Sequence, residues 1–168
     1  MSACAQCGID EDNLTVDDAV TTIRTLPRRY RQALAGLDAN ALTRPDASGW
    51  SLLAHVAAAR RALDELASAL PGVLTRPGTS VEDIPVEPAG PPSPHDPDRE
   101  LSAIGEASAA LVGRAEAAPS AAWDRPFVFG GHEVPARRIV QRAAHAGAHH
   151  LREMERHPSS AGRDSDDD

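Results

Sequence analysis

Four stretches of the chain carry apolar residues at intervals of three and four positions, the spacing that places them on one face of an α-helix. The first stretch follows Thr15, a suitable helix N-cap, and Pro27 is expected to kink or divide it. The second runs from Ser51 to Pro71, the third covers residues 97–117 and the fourth covers residues 134–156. We predict a helix with one buried face in each stretch. For the first three helices the buried residues are Val20, Ile23, Leu26, Tyr30, Leu34 and Leu37 in the first; Leu52, Val56, Ala59, Leu63, Leu66 and Leu70 in the second; and Leu101, Ile104, Leu111 and Val112 in the third.

The connections between these helices differ in length and composition. Residues 71–98 hold more than half of the fourteen prolines, which predicts an irregular crossover long enough to traverse a helical bundle. Before the last helix, Phe127-Val128-Phe129 precedes Gly130-Gly131, a pattern typical of a short extended turn or minimal hairpin. The pattern as a whole predicts an all-α fold, a four-helix bundle with a long proline-rich crossover between its second and third helices.

Composition narrows the class of protein. The chain has 168 residues with a net charge of -8 and 3% aromatic residues, which suits one helical domain and argues against non-specific nucleic-acid binding. No window approaches the roughly eighteen apolar residues of a membrane span, and the N-terminus lacks a signal sequence, so we expect no membrane partner and a cytoplasmic location. We expect residues 158–168 to be a disordered acidic tail after a bundle of residues 15–157.

The first fourteen residues form a predicted N-terminal extension that contains both cysteines of the chain, Cys4 and Cys7. Their spacing suits half of a zinc site or a redox pair, and a mobile segment with free thiols is the remaining alternative. Because nothing in the sequence fixes the position of this extension, we expect the pair to stay apart from any ion bound within the bundle.

Histidines in two predicted helices are candidate metal ligands. His145 and His149 lie four residues apart in the last helix, so both imidazoles can reach one divalent ion. The apolar residues of that helix are small, so the helical pattern leaves open whether its two histidines and several arginines face the core or solvent. His55, near the start of the second helix, falls at the edge of the apolar stripe.

These features together resemble the DinB-like (YfiT-like) superfamily. Trp50-Ser51 leads into His55, the proline-rich crossover follows, and the last helix reads RIVQRAAHAGAHHLREM. The superfamily includes bacillithiol and mycothiol S-transferases and mycothiol-dependent maleylpyruvate isomerase, and the alanine- and arginine-rich composition fits an actinobacterial origin. The resemblance implies a divalent ion, zinc before nickel, bound by His55, His145 and His149.

The resemblance also implies a function. A metal with three protein ligands has room for a thiolate, so a low-molecular-weight thiol, mycothiol for this family, would attack a small electrophile. Arg142 and Arg152 are candidate anchors for the polar groups of that thiol. The alternatives are a metal-dependent hydrolase of the same fold and a non-catalytic metal- or redox-sensing bundle that uses Cys4 and Cys7. The sequence leaves the oligomeric state open, with a homodimer as one alternative.

Overall fold

The structure is a computed structural model that describes residues 3–94 and 96–158. Within these residues there are five α-helices and three short β-strands. The fold is the predicted four-helix bundle, formed by the four long helices, with α1 and α3 each packed against α4 and α5. The elements in chain order are α1 (Val16–Leu34), α2 (Ala39–Thr43), α3 (Leu52–Thr75), β1 (Ser80–Val81), α4 (Pro97–Ala117), β2 (Pro126–Phe129), β3 (His132–Pro135) and α5 (Arg138–Arg156).

Two prolines lie inside helices. The sequence pattern predicts a kink or a division of the helix at Pro27 and the end of a helix at Pro71. α1 continues through Pro27, with Leu26 and Tyr30 buried on either side of it. α3 continues through Pro71 to Thr75 because its apolar stripe continues with the buried Val73. Burial of the residues around each proline therefore offsets the loss of one backbone hydrogen bond.

A close approach between α1 and α5 fixes the position of α5 along the bundle axis. The hydroxyl of Tyr30 donates to the backbone carbonyl of Gly147 across 2.7 Å, inside the core. A Cβ atom at Gly147 would overlap the side chain of Leu26, so α5 carries glycine where the two helices meet. His145 and His149 lie two residues before and two residues after Gly147, about half a turn to either side.

The three strands form one small sheet in the order β1-β2-β3. β2 and β3 form the expected hairpin around Gly130 and Gly131, which both have positive φ, and β1 adds a parallel strand beside β2. Arg142 of α5 lies over the ring of Phe129 and donates to the carbonyl of Ile84 across 2.8 Å, which ties the crossover to α5. The crossover is therefore irregular, as predicted, apart from β1.

Two expectations concern the C-terminal tail and membrane-spanning helices. The predicted disordered tail, residues 158–168, lies outside the described residues except for Pro158. Among the helices that the structure describes, none is both long and apolar enough to cross a membrane.

Candidate metal centre and adjoining histidine cavity

The N-terminal segment, residues 3–14, contains a tight turn that carries both cysteines. The backbone N–H of Cys4 donates to the carbonyl of Ile9, and the N–H of Gly8 donates to the carbonyl of Cys4, each across 2.8 Å. Gly8 has a φ of +75°, a conformation that glycine adopts without strain. These local hydrogen bonds bring the thiols of Cys4 and Cys7 to the same side of the turn.

Opposite charges hold the N-terminal segment along α5. The carboxylate of Glu11 lies 3.0 Å from Nη1 of Arg138 and 2.8 Å from Nε of Arg142, and Asp12 also pairs with Arg138. Further along the helix, Arg156 donates to the carbonyl of Gln6 across 2.6 Å. The segment therefore follows α5 over most of its length.

This arrangement places the cysteine turn against the histidines of α5. One potential ligand atom from each of Cys4, Cys7, His145 and His149 lies within 4.8 Å of the other three. The Sγ of Cys4 is 3.6 Å from the Nδ1 of His149. Tetrahedral zinc, with Zn–S of about 2.3 Å and Zn–N of about 2.0 Å, separates a sulfur and a nitrogen ligand by about 3.5 Å. The donor set and this spacing both fit a zinc ion.

His145 has the environment of a metal-ligating histidine. Its Nδ1 is 2.7 Å from Oε1 of Glu11, and its Nε2 is buried without a hydrogen-bond partner. Burial acts against ionisation of both groups, but their mutual attraction raises the pKa of His145 and, with the nearby arginines, lowers that of Glu11. A carboxylate on one ring nitrogen orients the other nitrogen toward a metal and increases its basicity. Zinc would satisfy the unpartnered Nε2.

The two thiols differ in acidity. Burial acts to raise the pKa of Cys4, but the backbone N–H of Cys7 and the side chains of His145 and His149 stabilise the thiolate and bring that pKa to about 6. Burial and the neighbouring Cys4 raise the pKa of Cys7 to about 11. The centre thus supplies one ready thiolate, and a metal ion would favour deprotonation of the second.

A cavity of about 220 Å³ adjoins this centre on the far side of His149. Its wall includes Trp50, His55 and His150, and the Nδ1 atoms of the two histidines are 3.3 Å apart. The indole of Trp50 stacks on the His55 ring at 4.7 Å. Burial lowers the pKa of His55 to about 4 and that of His150 to about 3, so both imidazoles are neutral at physiological pH.

Comparison with known proteins bears on the fold. No family model matches the chain, and no curated protein matches it. A solved structure does match: YfiT from Bacillus subtilis, described as a probable metal-dependent hydrolase with an unusual four-helix bundle topology. The fold is that of YfiT. The match covers 92% of this chain and 93% of that chain with a TM-score of 0.66, at 15% sequence identity. The TM-score establishes a YfiT-like fold. At this low sequence identity, the ligands and the reaction have to be argued from the site itself.

In this YfiT-like bundle the structure groups the predicted ligands differently from the sequence. His145 and His149 are together, but Cys4 and Cys7 join them, contrary to the expectation that the pair stays apart. Among the described residues, His55 is not part of this four-residue cluster; its ring lies beside that of His150, with 5.6 Å between the centroids.

The predicted thiol anchors already have partners. Arg142 pairs with Glu11 and Asp83, whereas Arg152 makes an exposed pair with Glu155 at 2.8 Å. Sequence reasoning also missed Glu11 as a partner of the site. The available signal was charge complementarity: the acidic residues that follow the cysteines match the basic side of the last helix.

Proposed function

We propose that this chain is a zinc-binding bundle in which Cys4, Cys7, His145 and His149 hold one ion. The observation that carries the proposal is the grouping of these four side chains within 4.8 Å. A tetrahedral set of two thiolates and two imidazoles is characteristic of zinc, and it disfavours nickel, which prefers other geometries. Four protein ligands also make a closed centre, with no position left for substrate.

The closed centre favours a sensing role over a catalytic one. Two of its ligands come from the N-terminal segment and two from α5, so binding of the ion fastens one to the other. Cysteine binds zinc as a thiolate, which oxidation removes, so occupancy depends on zinc supply and on the redox state of the cysteines. We therefore assign the protein a metal- and redox-responsive function, in which occupancy decides whether residues 3–14 lie on the bundle.

Metal analysis of purified variants tests the zinc centre. Wild type should hold about one zinc per chain, and the Cys4→Ser, Cys7→Ser, His145→Ala and His149→Ala variants should lose most of it, since three ligands bind zinc less tightly. The His55→Ala variant should keep its zinc, as should the matched control His132→Ala, which changes an exposed hairpin histidine. Circular dichroism checks that each variant is folded. Full occupancy in both cysteine variants, or zinc loss in His55→Ala alone, would contradict the proposal.

A second candidate function is catalysis in the adjoining cavity. The cavity is open to solvent and its wall carries two neutral imidazoles, His55 and His150, with His149 shared between cavity and cluster. The chemistry would be metal-dependent, with an ion bound by the cavity histidines in place of the closed four-ligand centre: transfer of a small thiol such as mycothiol to an electrophile, or hydrolysis, the activity named for YfiT. For a thiol cosubstrate, neither predicted anchor is among the cavity-lining residues: Arg142 contacts Glu11 and Asp83, and Arg152 pairs with Glu155, whereas Arg156 lines the cavity.

Activity assays separate the two candidates. Apo and zinc-loaded protein are screened with several thiols against a halogenated aromatic and a maleyl compound, and with activated esters for hydrolysis. Metal-dependent turnover that disappears in His55→Ala and His150→Ala but survives in His132→Ala would favour the catalytic candidate. Turnover in none of these assays, with zinc bound, favours the sensing role.

A further inference from the structure

Resting on the proposed zinc centre, we propose that Cys4 and Cys7 form an oxidation-sensitive latch: a hydroperoxide converts the two zinc-bound thiolates to a disulfide, zinc leaves, and residues 3–14 detach from α5. The proposal adds to zinc binding a defined chemical trigger and a defined structural consequence. It depends on three features of the molecule, which are the access to the sulfur atoms, the turn that holds them, and the contacts of the segment.

The cysteines are placed where an oxidant can reach them. Both side chains are partly exposed, in contrast to His149, which is almost fully buried. Cys4 and Cys7 belong to one turn whose backbone hydrogen bonds lie within residues 4–9. Their sulfur atoms are no more than 4.8 Å apart and must approach to about 2 Å in a disulfide. The turn can therefore close the bond without help from α5.

The reaction balances with a peroxide as the only added reagent. One thiolate attacks a peroxide oxygen and becomes a sulfenic acid, and the alcohol or water formed from the other oxygen leaves. The second thiolate attacks that sulfur, a sulfur–sulfur bond forms, and hydroxide departs as water after protonation. Overall, two thiolates, one hydroperoxide and two protons give a disulfide, one alcohol (or water) and one water, and zinc is released because a disulfide sulfur is a poor ligand.

The contacts of residues 3–14 explain why loss of zinc would free them. None of these residues is fully buried, and of those described only Leu14, at the end of the segment, packs against the hydrophobic core. Besides the metal cluster, its contacts include the Glu11 and Asp12 ion pairs, the hydrogen bond between His145 and Glu11, that of Arg156 to Gln6, and that of Gln141 to Leu14. The Glu11 pairs are shielded from water, with the Glu11 side chain 10% exposed, and the cost of desolvating both charges offsets much of their attraction, so they hold the segment less firmly than four metal bonds.

Detachment would change the surface of α5. The segment now covers Arg138 and Arg142, whose side chains are 11% and 20% exposed. Removing it would uncover both guanidinium groups together with His145, all on one side of the helix. The oxidised protein would thus present a basic strip that the reduced, zinc-loaded protein hides.

The test follows free zinc, intact protein mass and amide hydrogen exchange in the same full-length sample. Zinc-loaded protein is titrated with hydrogen peroxide while a chromophoric chelator reports free zinc, and intact mass and hydrogen exchange are recorded at each step. We expect release of one zinc per chain, a mass lower by two hydrogens, and faster exchange in residues 3–14 and along the covered side of α5. A dithiol reductant with added zinc should reverse all three.

The outcomes distinguish failure of the latch from failure of the zinc centre on which it rests. If the reduced protein holds no zinc, the proposed function fails and the latch fails with it. If zinc is bound but peroxide leaves it in place, or releases it with added oxygen atoms instead of loss of two hydrogens, the latch alone is overturned. Zinc removal by chelator from reduced protein is the control for the mechanical step, and unchanged exchange in residues 3–14 would also overturn the latch.

Discussion

The carboxylate of Glu11 accepts a hydrogen bond from the Nδ1 of His145 across 2.7 Å, joining the N-terminal segment to α5 at a residue of the cysteine–histidine cluster. The same carboxylate pairs with Arg138 and Arg142. One acidic side chain therefore both docks the segment and orients a proposed zinc ligand. Its removal should affect the metal without removing a ligand.

We predict that Glu11→Ala lowers the affinity for zinc by about 10–100-fold, the usual effect of removing a carboxylate behind a metal-bound histidine. The variant should still bind about one ion at saturation, because all four ligands remain. Competition against a chromophoric chelator measures the affinity. Glu133→Ala, which removes an exposed hairpin carboxylate, is the control. Equal affinities for the two variants would show that Glu11 has no part in the site.

We predict that Gly147→Ala lowers the free energy of unfolding by about 1–3 kcal/mol, because its Cβ would overlap Leu26 where α1 meets α5. The matched control is Gly105→Ala in α4, where a Cβ meets no neighbouring atom. There the better helix propensity of alanine should raise stability by about 0.5–1 kcal/mol. Denaturant unfolding measures both variants in zinc-free protein. Changes of the same sign would contradict this account of the helix contact.

We predict that His55 makes the fold less stable in mild acid. Burial and the nearby His157 depress the pKa of His55 to about 4. Its unfolded value is near 6.5, so the unfolded chain binds the proton first, and stability falls as pH drops below about 6.5 until the folded pKa is reached. Between pH 7 and pH 5 this histidine should cost about 1–2 kcal/mol.

The measurement compares wild type with His55→Gln at the two pH values. The comparison is needed because other histidines and Asp46 lie around His55 in both proteins, namely His149, His150 and His157, and the difference isolates the contribution of His55. The loss of unfolding free energy between pH 7 and pH 5 should be smaller in His55→Gln. An equal loss in both proteins would mean that His55 is accessible to protons when folded.

The fold could be predicted because its signals are local. The intervals between apolar residues identify the helices, and the residues expected in the first helix, such as Ile23, Leu26 and Tyr30, are buried. The errors lie at helix ends: the last helix begins at Arg138 and not at residue 134, because residues 132–135 form β3. Pro71 does not end α3, since Val73 beyond it is buried in the core. Tertiary burial, which a local pattern cannot include, outweighs the cost of an interrupted helix.

The candidate site could be predicted only in part, for the same reason. His145 and His149 are paired by helix geometry alone, so their spacing is visible in the sequence. The approach of Cys4 depends on contacts across more than one hundred residues, through Glu11 and the arginines of α5. The position of His55 against His150 likewise depends on how α3 packs on α5. Such contacts depend on how the elements pack against one another, which the spacing of apolar residues along the chain does not show.

The zinc K-edge absorption spectrum of the zinc-loaded protein tests the central claim most directly, because it reports the atoms bound to the metal. We predict two sulfur ligands at about 2.3 Å and two nitrogen ligands at about 2.0 Å. A shell of nitrogen and oxygen without sulfur, as a site formed by His55, His145 and His149 would give, would contradict the proposed centre.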